Sequence, residues 1–250
     1  MQSFDNKMSE LNKLIKNSKR IVFFSGAGVS TESGIPDFRS KDGLYNQKDI
    51  RFDKFTPEYL LSVECLRKNP EVFYEFYRQK LDCRNINPNI THFKIAELSN
   101  HGKIISVVTQ NIDGLHQKAG SIVVDEIHGT TRKNYCENCM AEFGADYIFE
   151  SNEDIPHCPD CGGIIRPDVT LYGEGLPHNA WVDANIHIRN ADLVVVCGTS
   201  LSVYPAAGLL DYVPRNKLVI INRDETYKDK QASIVFHESL GEVFSRIEVE

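Results

Sequence analysis

Residues Ile21 to Arg39, IVFFSGAGVSTESGIPDFR, constrain the fold more than any other stretch. The run Ile21-Val22-Phe23-Phe24 combines β-branched and aromatic side chains, the pattern of a buried strand. It empties into Gly26-Ala27-Gly28, a turn with almost no side chain, where backbone amides can approach a pyrophosphate closely. Pro36-Asp37-Phe38-Arg39 then offers a carboxylate, an aromatic face and a guanidinium in succession. Together these features point to a dinucleotide site. The spacing is not that of a common dehydrogenase. Gly34 follows Gly28 after five residues rather than two, and no ribose-binding acid ends a neighbouring strand at the usual distance. A Gly-x-Gly pair alone is also what an ordinary tight turn shows, so other segments have to decide.

Alternation of strand-like and helix-like segments dominates the 250 residues. Strands are expected at Ile21–Phe24, Ile104–Thr109, Ile122–Ile127, Asp192–Cys197, Lys217–Ile221 and Ser233–Phe236. Several are continuous apolar runs, as a parallel sheet covered on both faces requires. Helices are expected near Thr91–Ser99, Asn179–Ile188 and Leu240–Ile247. Phe4, Met8, Leu11 and Ile15 form the apolar stripe of another at the amino end. Two interruptions differ in character. Residues 46–87 carry Thr56-Pro57-Glu58 and Asn69-Pro70-Glu71, each a cap followed by proline and an acid, so two helices begin there. Residues 132–167 are turn-rich and bear cysteines. The expected fold class is therefore α/β. It is a Rossmann-like, doubly wound parallel sheet made of residues 1–45, 88–131 and 168–250, with an inserted helical module (46–87) and a small zinc-ribbon lobe (132–167).

Cys136-x2-Cys139 and Cys158-x2-Cys161 are separated by eighteen residues. Each pair presents two sulfurs to one point, and two pairs supply a tetrahedron of thiolates. Zn²⁺ suits four soft ligands, with an iron centre as the alternative. Four cysteine ligands leave no open position, which makes the metal structural. Disulfides are the competing reading. The polar amino end does not resemble a secretory signal, and no apolar run approaches the roughly 20 residues of a bilayer span. A cytoplasmic protein with reduced thiols is the expectation. A net charge of −7 argues against binding a phosphate backbone. No direct nucleic-acid or membrane partner is expected.

Polar groups cluster where strands end. Thr109-Gln110-Asn111-Ile112-Asp113 follows one strand, and Asp125-Glu126-Ile127-His128-Gly129 ends the next, with His128 placed as a general base. Gly198-Thr199-Ser200 is a second small-residue turn able to hold phosphate oxygens, and Asn222 ends a further strand within reach of a ribose. Singly, each of these is more often a cap or turn residue. Jointly they describe a dinucleotide lying across the sheet beside one histidine.

In this order, the motifs resemble the sirtuin family of NAD-dependent protein deacylases, of the bacterial-like, deacetylase type. They are Gly26 to Ser30, Gly34 to Arg39, Thr109 to Asp113, His128-Gly129, the cysteine quartet, Tyr172-Gly173-Glu174, Gly198 to Ser200 and Asn222. The resemblance implies an enzyme that consumes NAD as co-substrate and carries one structural zinc held by Cys136, Cys139, Cys158 and Cys161. It would deacetylate an acetyl-lysine-containing protein or peptide, releasing nicotinamide and O-acetyl-ADP-ribose. His128 and Asn111 would be catalytic, with His128 as base on a ribose hydroxyl. Gly26, Ala27, Thr31 and Arg39 would lie against the phosphates and nearby ribose, and Phe38 would cover the nicotinamide side. Gln110 and Asn111 would hold the ribose, and Ile112 and Asp113 the carboxamide. Thr199, Ser200, Asn222 and Leu240 would take the ADP half. Val169, Thr170, Leu171 and Tyr172 would form the edge that pairs with substrate backbone.

Two departures bear on specificity. Tyr172 stands where the family commonly carries Phe. The succinyl-removing branch resembles Tyr-x-x-Arg at the position of Tyr77-Arg78-Gln79-Lys80, where this chain has Lys80 in place of the Arg, and it usually has Thr where this chain has Asp37. Neutral acyl groups are therefore the expected substrates. Two other functions fit the same motifs: mono-ADP-ribosyl transfer from the same NAD site, and NAD sensing by a non-enzymatic zinc domain.

Overall fold

The computed structural model describes every residue except 1, 2, 39, 41, 42, 48 and 250. Its centre is a six-stranded parallel sheet of β1 (Arg20–Ser25), β2 (Ile104–Thr109), β3 (Val124–Glu126), β7 (Leu193–Cys197), β8 (Leu218–Ile221) and β9 (Ile234–Phe236), ordered β3-β2-β1-β7-β8-β9. Winding runs outward in both directions from the β1–β7 boundary, which makes that boundary the topological switch point.

Side-chain alternation explains why both faces are covered. Ile21 and Phe23 of β1, Val195 of β7 and Val219 of β8 join one buried cluster, while Val22, Phe24, Val196 and Ile220 join the other. On the first face pack α1 (Phe4–Asn17), α5 (Ile90–Asn100) and α9 (Leu240–Ser245). The predicted stripe of α1 is real: Met8, Leu11 and Ile15 are buried, and Ser3 caps the helix by accepting from Asn6 N. On the second face lie α8 (His178–Asn190) and a 3-10 segment, Ala206–Tyr212.

The insertion between β1 and β2 holds α2 (Pro57–Leu60), α3 (Val63–Lys68) and α4 (Pro70–Lys80). Thr56 caps α2 as its sequence indicates, by accepting from Tyr59 N. Helix α3 was not expected. Its start is Ser62, which accepts from Cys65 N without a proline to mark it. After β2 come α6 (Leu115–Lys118), then a second insertion. There β4 (Gly129–Cys136), β5 (Glu142–Gly144) and β6 (Ile165–Val169) form an antiparallel sheet, order β5-β4-β6, with α7 (Asp146–Phe149) beside it.

The two insertions share one apolar core. Phe73, Tyr74 and Tyr77 of α4 pack in the same cluster as Cys136, Cys158 and Ile165. Tyr74 also donates to Ile165 O at 2.8 Å. One edge strand is shorter than its apolar run. β3 starts at Val124 because it lies at the margin of the sheet, where Ile122 is left 84% exposed. Among the described residues no helix is long and apolar enough to cross a membrane.

Candidate active site

The carboxyl ends of the parallel strands open into a single cavity of about 510 Å³ at the switch point. Its floor is made where two glycine turns touch. Gly26 N donates to Cys197 O and Gly28 N donates to Gly198 O, at 3.0 and 2.9 Å. A methyl group on Gly28 would lie 2.8 Å from Gly198 Cα, so only bare backbone fits. Gly198 itself has φ of +58°, the left-handed region that favours glycine. The cradle has room for phosphates to lie against bare backbone.

The strand-end side chains converge here. Gly26, Ala27, Thr31, Phe38, Gln110, Asn111, Ile112, His128, Val169, Thr170, Leu171, Tyr172, Thr199, Ser200, Asn222 and Leu240 all line the cavity. Asp113 does not line it, and Arg39 lies outside the described residues. Asp113 stands behind the wall as a support. Its Oδ2 accepts from Ser30 Oγ at 2.6 Å and its Oδ1 from Leu115 N at 2.9 Å, while Asn111 Nδ2 donates to Ser30 Oγ at 3.1 Å. Burial raises the Asp113 carboxyl above its usual value, against the pull of those hydrogen bonds. The chain Asn111–Ser30–Asp113 fixes the Asn111 amide in one orientation.

His128 sits in the link between β3 and β4. Its carbonyl accepts from Thr170 N at 2.9 Å, and its Nδ1 is 3.0 Å from Gln110 O. A carbonyl only accepts, so Nδ1 carries the proton and the basic lone pair belongs to Nε2. Gln110 is tied in turn, its Nε2 donating to Thr199 Oγ1 at 3.1 Å. The imidazole, the amide of Gln110 and the second glycine turn are thus one connected unit.

The segment leaving β6, Val169 to Tyr172, is held by a half-buried ion pair. Arg166 Nη1 and Nη2 donate to Glu174 Oε1 and Oε2 at 2.6 and 2.9 Å, and Leu171 N donates to Glu174 Oε2 at 2.9 Å. Sequence reasoning missed Glu32, Leu61, Leu81, Tyr204, Arg223 and Glu238 as further lining residues. Leu61 and Leu81 read as ordinary core of the helical insert, and nothing local to them signals a cavity. For Glu32 a signal existed, since it lies inside the motif stretch; its Oε1 accepts from Gly241 N at the start of α9.

In the small sheet, the sulfurs of Cys136, Cys139, Cys158 and Cys161 all lie within 4.8 Å of one another. Cys136 and Cys161 are 3.4 Å apart, and Cys139 and Cys158 3.7 Å. A tetrahedral zinc with bonds of about 2.3 Å separates its sulfurs by about 3.8 Å, so the quartet fits that ion. These are free thiols, not disulfides. None of the four lines the cavity.

The Sir2 family model matches residues 26–205. This chain belongs to the Sir2 family. An NAD-dependent protein deacetylase of Clostridium perfringens (strain 13 / Type A) is 49% identical over 245 residues, covering 97% of this chain and 99% of the relative. That of Clostridium acetobutylicum is 46% identical over 242 residues, covering 97% and 98%. Among solved structures, a Sir2 complex with a p53 peptide and NAD⁺ superimposes with TM-score 0.84 at 37% identity, over 96% of both chains. A Sir2 bound to acetylated peptide gives 0.85 at 36% identity over the same shares. The Sir2 fold accounts for the pairing of a parallel sheet with a four-cysteine lobe.

Proposed function

We infer that this chain is an NAD-dependent protein-lysine deacetylase, converting an acetyl-lysine polypeptide and NAD⁺ into free lysine, nicotinamide and O-acetyl-ADP-ribose. The observation that carries this reading is the junction of His128, through Gln110, with the second glycine turn, which touches the first. An oriented imidazole beside a bare-backbone cradle at the switch point supports a role for His128 as base. The names of the relatives and the NAD⁺- and peptide-bound structural neighbours support the same reading.

Bound NAD⁺ supplies an activated ribosyl carbon and accepts the acetyl group. The chain's own residues orient and deprotonate. The Ala27 amide, with Thr31, Thr199 and Ser200, would face the phosphates, Gly26 would come against them through its bare Cα because its amide is held by Cys197 O, and Arg39 is assigned there from its motif. Asn222 and the backbone at Leu240 would take the adenosine end. Gln110 and Asn111 would hold the nicotinamide ribose, with Asn111 kept in place by Ser30 and Asp113. Ile112 would lie against the carboxamide, and Asp113 would act on it only through that support. His128 Nε2 would take the proton of a ribose hydroxyl, as the Nδ1–H to Gln110 O bond fixes that tautomer. Val169, Thr170, Leu171 and Tyr172 would pair with the peptide, and Phe38, Leu61 and Leu81 would help keep water out. Zinc would hold the small lobe together and take no part in the chemistry.

The division into a nucleotide-binding domain (1–45, 88–131, 168–250), a helical module (46–87) and a zinc lobe (132–167) is supported by the two insertions in the parallel sheet. The cytoplasm is the compartment this reading assigns. Replacing His128 with alanine tests it. The variant is expected to keep its zinc and fold and lose NAD⁺-dependent deacetylation; retained turnover overturns the assigned base. Labelled NAD⁺ separates the transferase alternative, because label on protein rather than in acetyl-ADP-ribose would mark ADP-ribosyl transfer.

A further inference from the structure

Tyr172 stands at the boundary between the two insertions and the cavity. Its backbone N donates to Leu61 O at 2.9 Å and its carbonyl accepts from Val63 N at 3.1 Å, so its main chain is fixed to the helical insert. The ring lines the cavity, and the hydroxyl lies 2.9 Å from the hydroxyl of Tyr45. Tyr45 belongs to a one-turn 3-10 helix, Leu44–Asn46. Its amide donates to Phe38 O at 3.0 Å, and its ring meets the Phe38 ring edge-on at a centroid distance of 5.4 Å. Phe38 is therefore joined to Tyr45 by backbone and by ring, and Tyr45 is joined at its far end to Tyr172.

We propose that Tyr172 is a positioning residue: its hydroxyl, acting through Tyr45, sets the place of Phe38 in the cavity wall. This rests on the deacetylase reading, in which Phe38 screens the nicotinamide side and Tyr172 ends the segment that pairs with peptide. A phenylalanine at 172 keeps the ring and removes the O–H···O bond. The fixed backbone of Tyr172 makes it the anchored end of the tie, so the peptide-side edge and the nicotinamide-side wall are mechanically joined. A peptide that pairs with Val169–Leu171 thereby steadies the wall that blocks nicotinamide return.

Hydrogen exchange on the ligand-free protein reads the tie directly. A neutral hydrogen bond changes a local opening equilibrium roughly 2- to 10-fold. Tyr172→Phe is expected to speed exchange of the Leu44 and Tyr45 amides by that factor, while the amides of Val63 and β1 keep their protection. Tyr45→Phe gives the same change, and the double variant gives no more than either single. During turnover, both single variants raise the ratio of nicotinamide exchange into NAD⁺ over deacetylation by a similar factor. Unchanged Leu44 and Tyr45 exchange, or additive effects in the double variant, overturns the proposal. Should Tyr172→Phe fail to fold, seen as lost β1 protection, Tyr45→Phe alone decides. Wild-type protein without deacetylation would sink the functional reading, and the ligand-free exchange would still judge the tie.

Discussion

Replacing Glu174 with glutamine perturbs the ion pair that holds the segment proposed to pair with peptide, and its effect can be worked out from the contacts. The Arg166 side chain is 6% exposed and Glu174 23%. The pair is bidentate, and Arg166 Nη2 also donates to Val169 O at 3.1 Å. Stranding a buried charge typically costs about 3–5 kcal/mol. Three features reduce that here. Glu174 keeps some contact with water, Glu137 Oε1 lies 3.9 Å from Arg166 Nη1, and the guanidinium carbon sits 5.5 Å from the Tyr135 ring centroid. A loss of about 2–3 kcal/mol is expected, a fall of roughly 5–10 °C in Tm for a chain of this size. Urea unfolding followed by circular dichroism and Trp181 fluorescence measures it. KM for an acetylated peptide should rise more than KM for NAD⁺, because Leu171 N loses its charged acceptor. Adding Arg166→Met to the variant should recover most of the stability, since the stranded charge is then gone. A loss below about 0.5 kcal/mol with unchanged peptide KM would refute the reasoning. Burial alone would raise the Glu174 carboxyl, yet the Arg166 bonds and the Leu171 amide hold it below its usual value. The pair's contribution is thus present above pH 4.5 and lost as pH falls through the lower folded value.

Three further expectations follow from the same contacts. Stripping the metal with a chelator should remove one zinc per chain and also loosen α4, because the cysteine lobe and the helical insert share a core; native mass spectrometry and hydrogen exchange of α4 report both. Burial pushes His92 down from 6.5 to about 4, and its ring lies 4.8 Å from that of His116, which burial also holds well below its usual value. The unfolded chain binds the proton first, so stability should fall by roughly 3 kcal/mol between pH 6.5 and 4 on account of His92; His92→Gln, measured by urea midpoints across that range, should flatten the slope. Acetyl-lysine peptides should give a higher kcat/KM than succinyl-lysine peptides. Tyr77 is fully buried and stacked on Phe73 and Phe149, and Lys80 lies against Asp49 and Gln47, so neither lines the cavity.

Much of the sheet was legible because its interior strands β1, β7 and β8 carry unbroken apolar runs and β2 is broken only by Ser106. β2 begins and ends where its sequence changes character, at Ile104 and Thr109. The cysteine spacing was equally plain, since chelate geometry leaves few alternatives. What escaped reading was set by packing between distant segments. Nothing local to Tyr77 shows in sequence that the shared core takes it out of solvent. Asp113 looks like a cavity residue from its neighbours Gln110 to Ile112, but the αL turn at Gly114 sends the chain into α6 and turns its carboxylate toward Ser30 and Leu115 N. Leu61 and Leu81 could not be told from core, because only the close approach of the helical insert to the sheet brings them to the cavity.

Product stoichiometry gives the most direct test of the central claim, that an oriented imidazole at the switch point drives transfer of an acetyl group to ADP-ribose. Mass spectrometry of an acetyl-lysine peptide incubated with NAD⁺ and the holoenzyme should show one nicotinamide and one O-acetyl-ADP-ribose for each lysine freed. Free acetate appearing without the ADP-ribose ester, or lysine freed without NAD⁺, would contradict it.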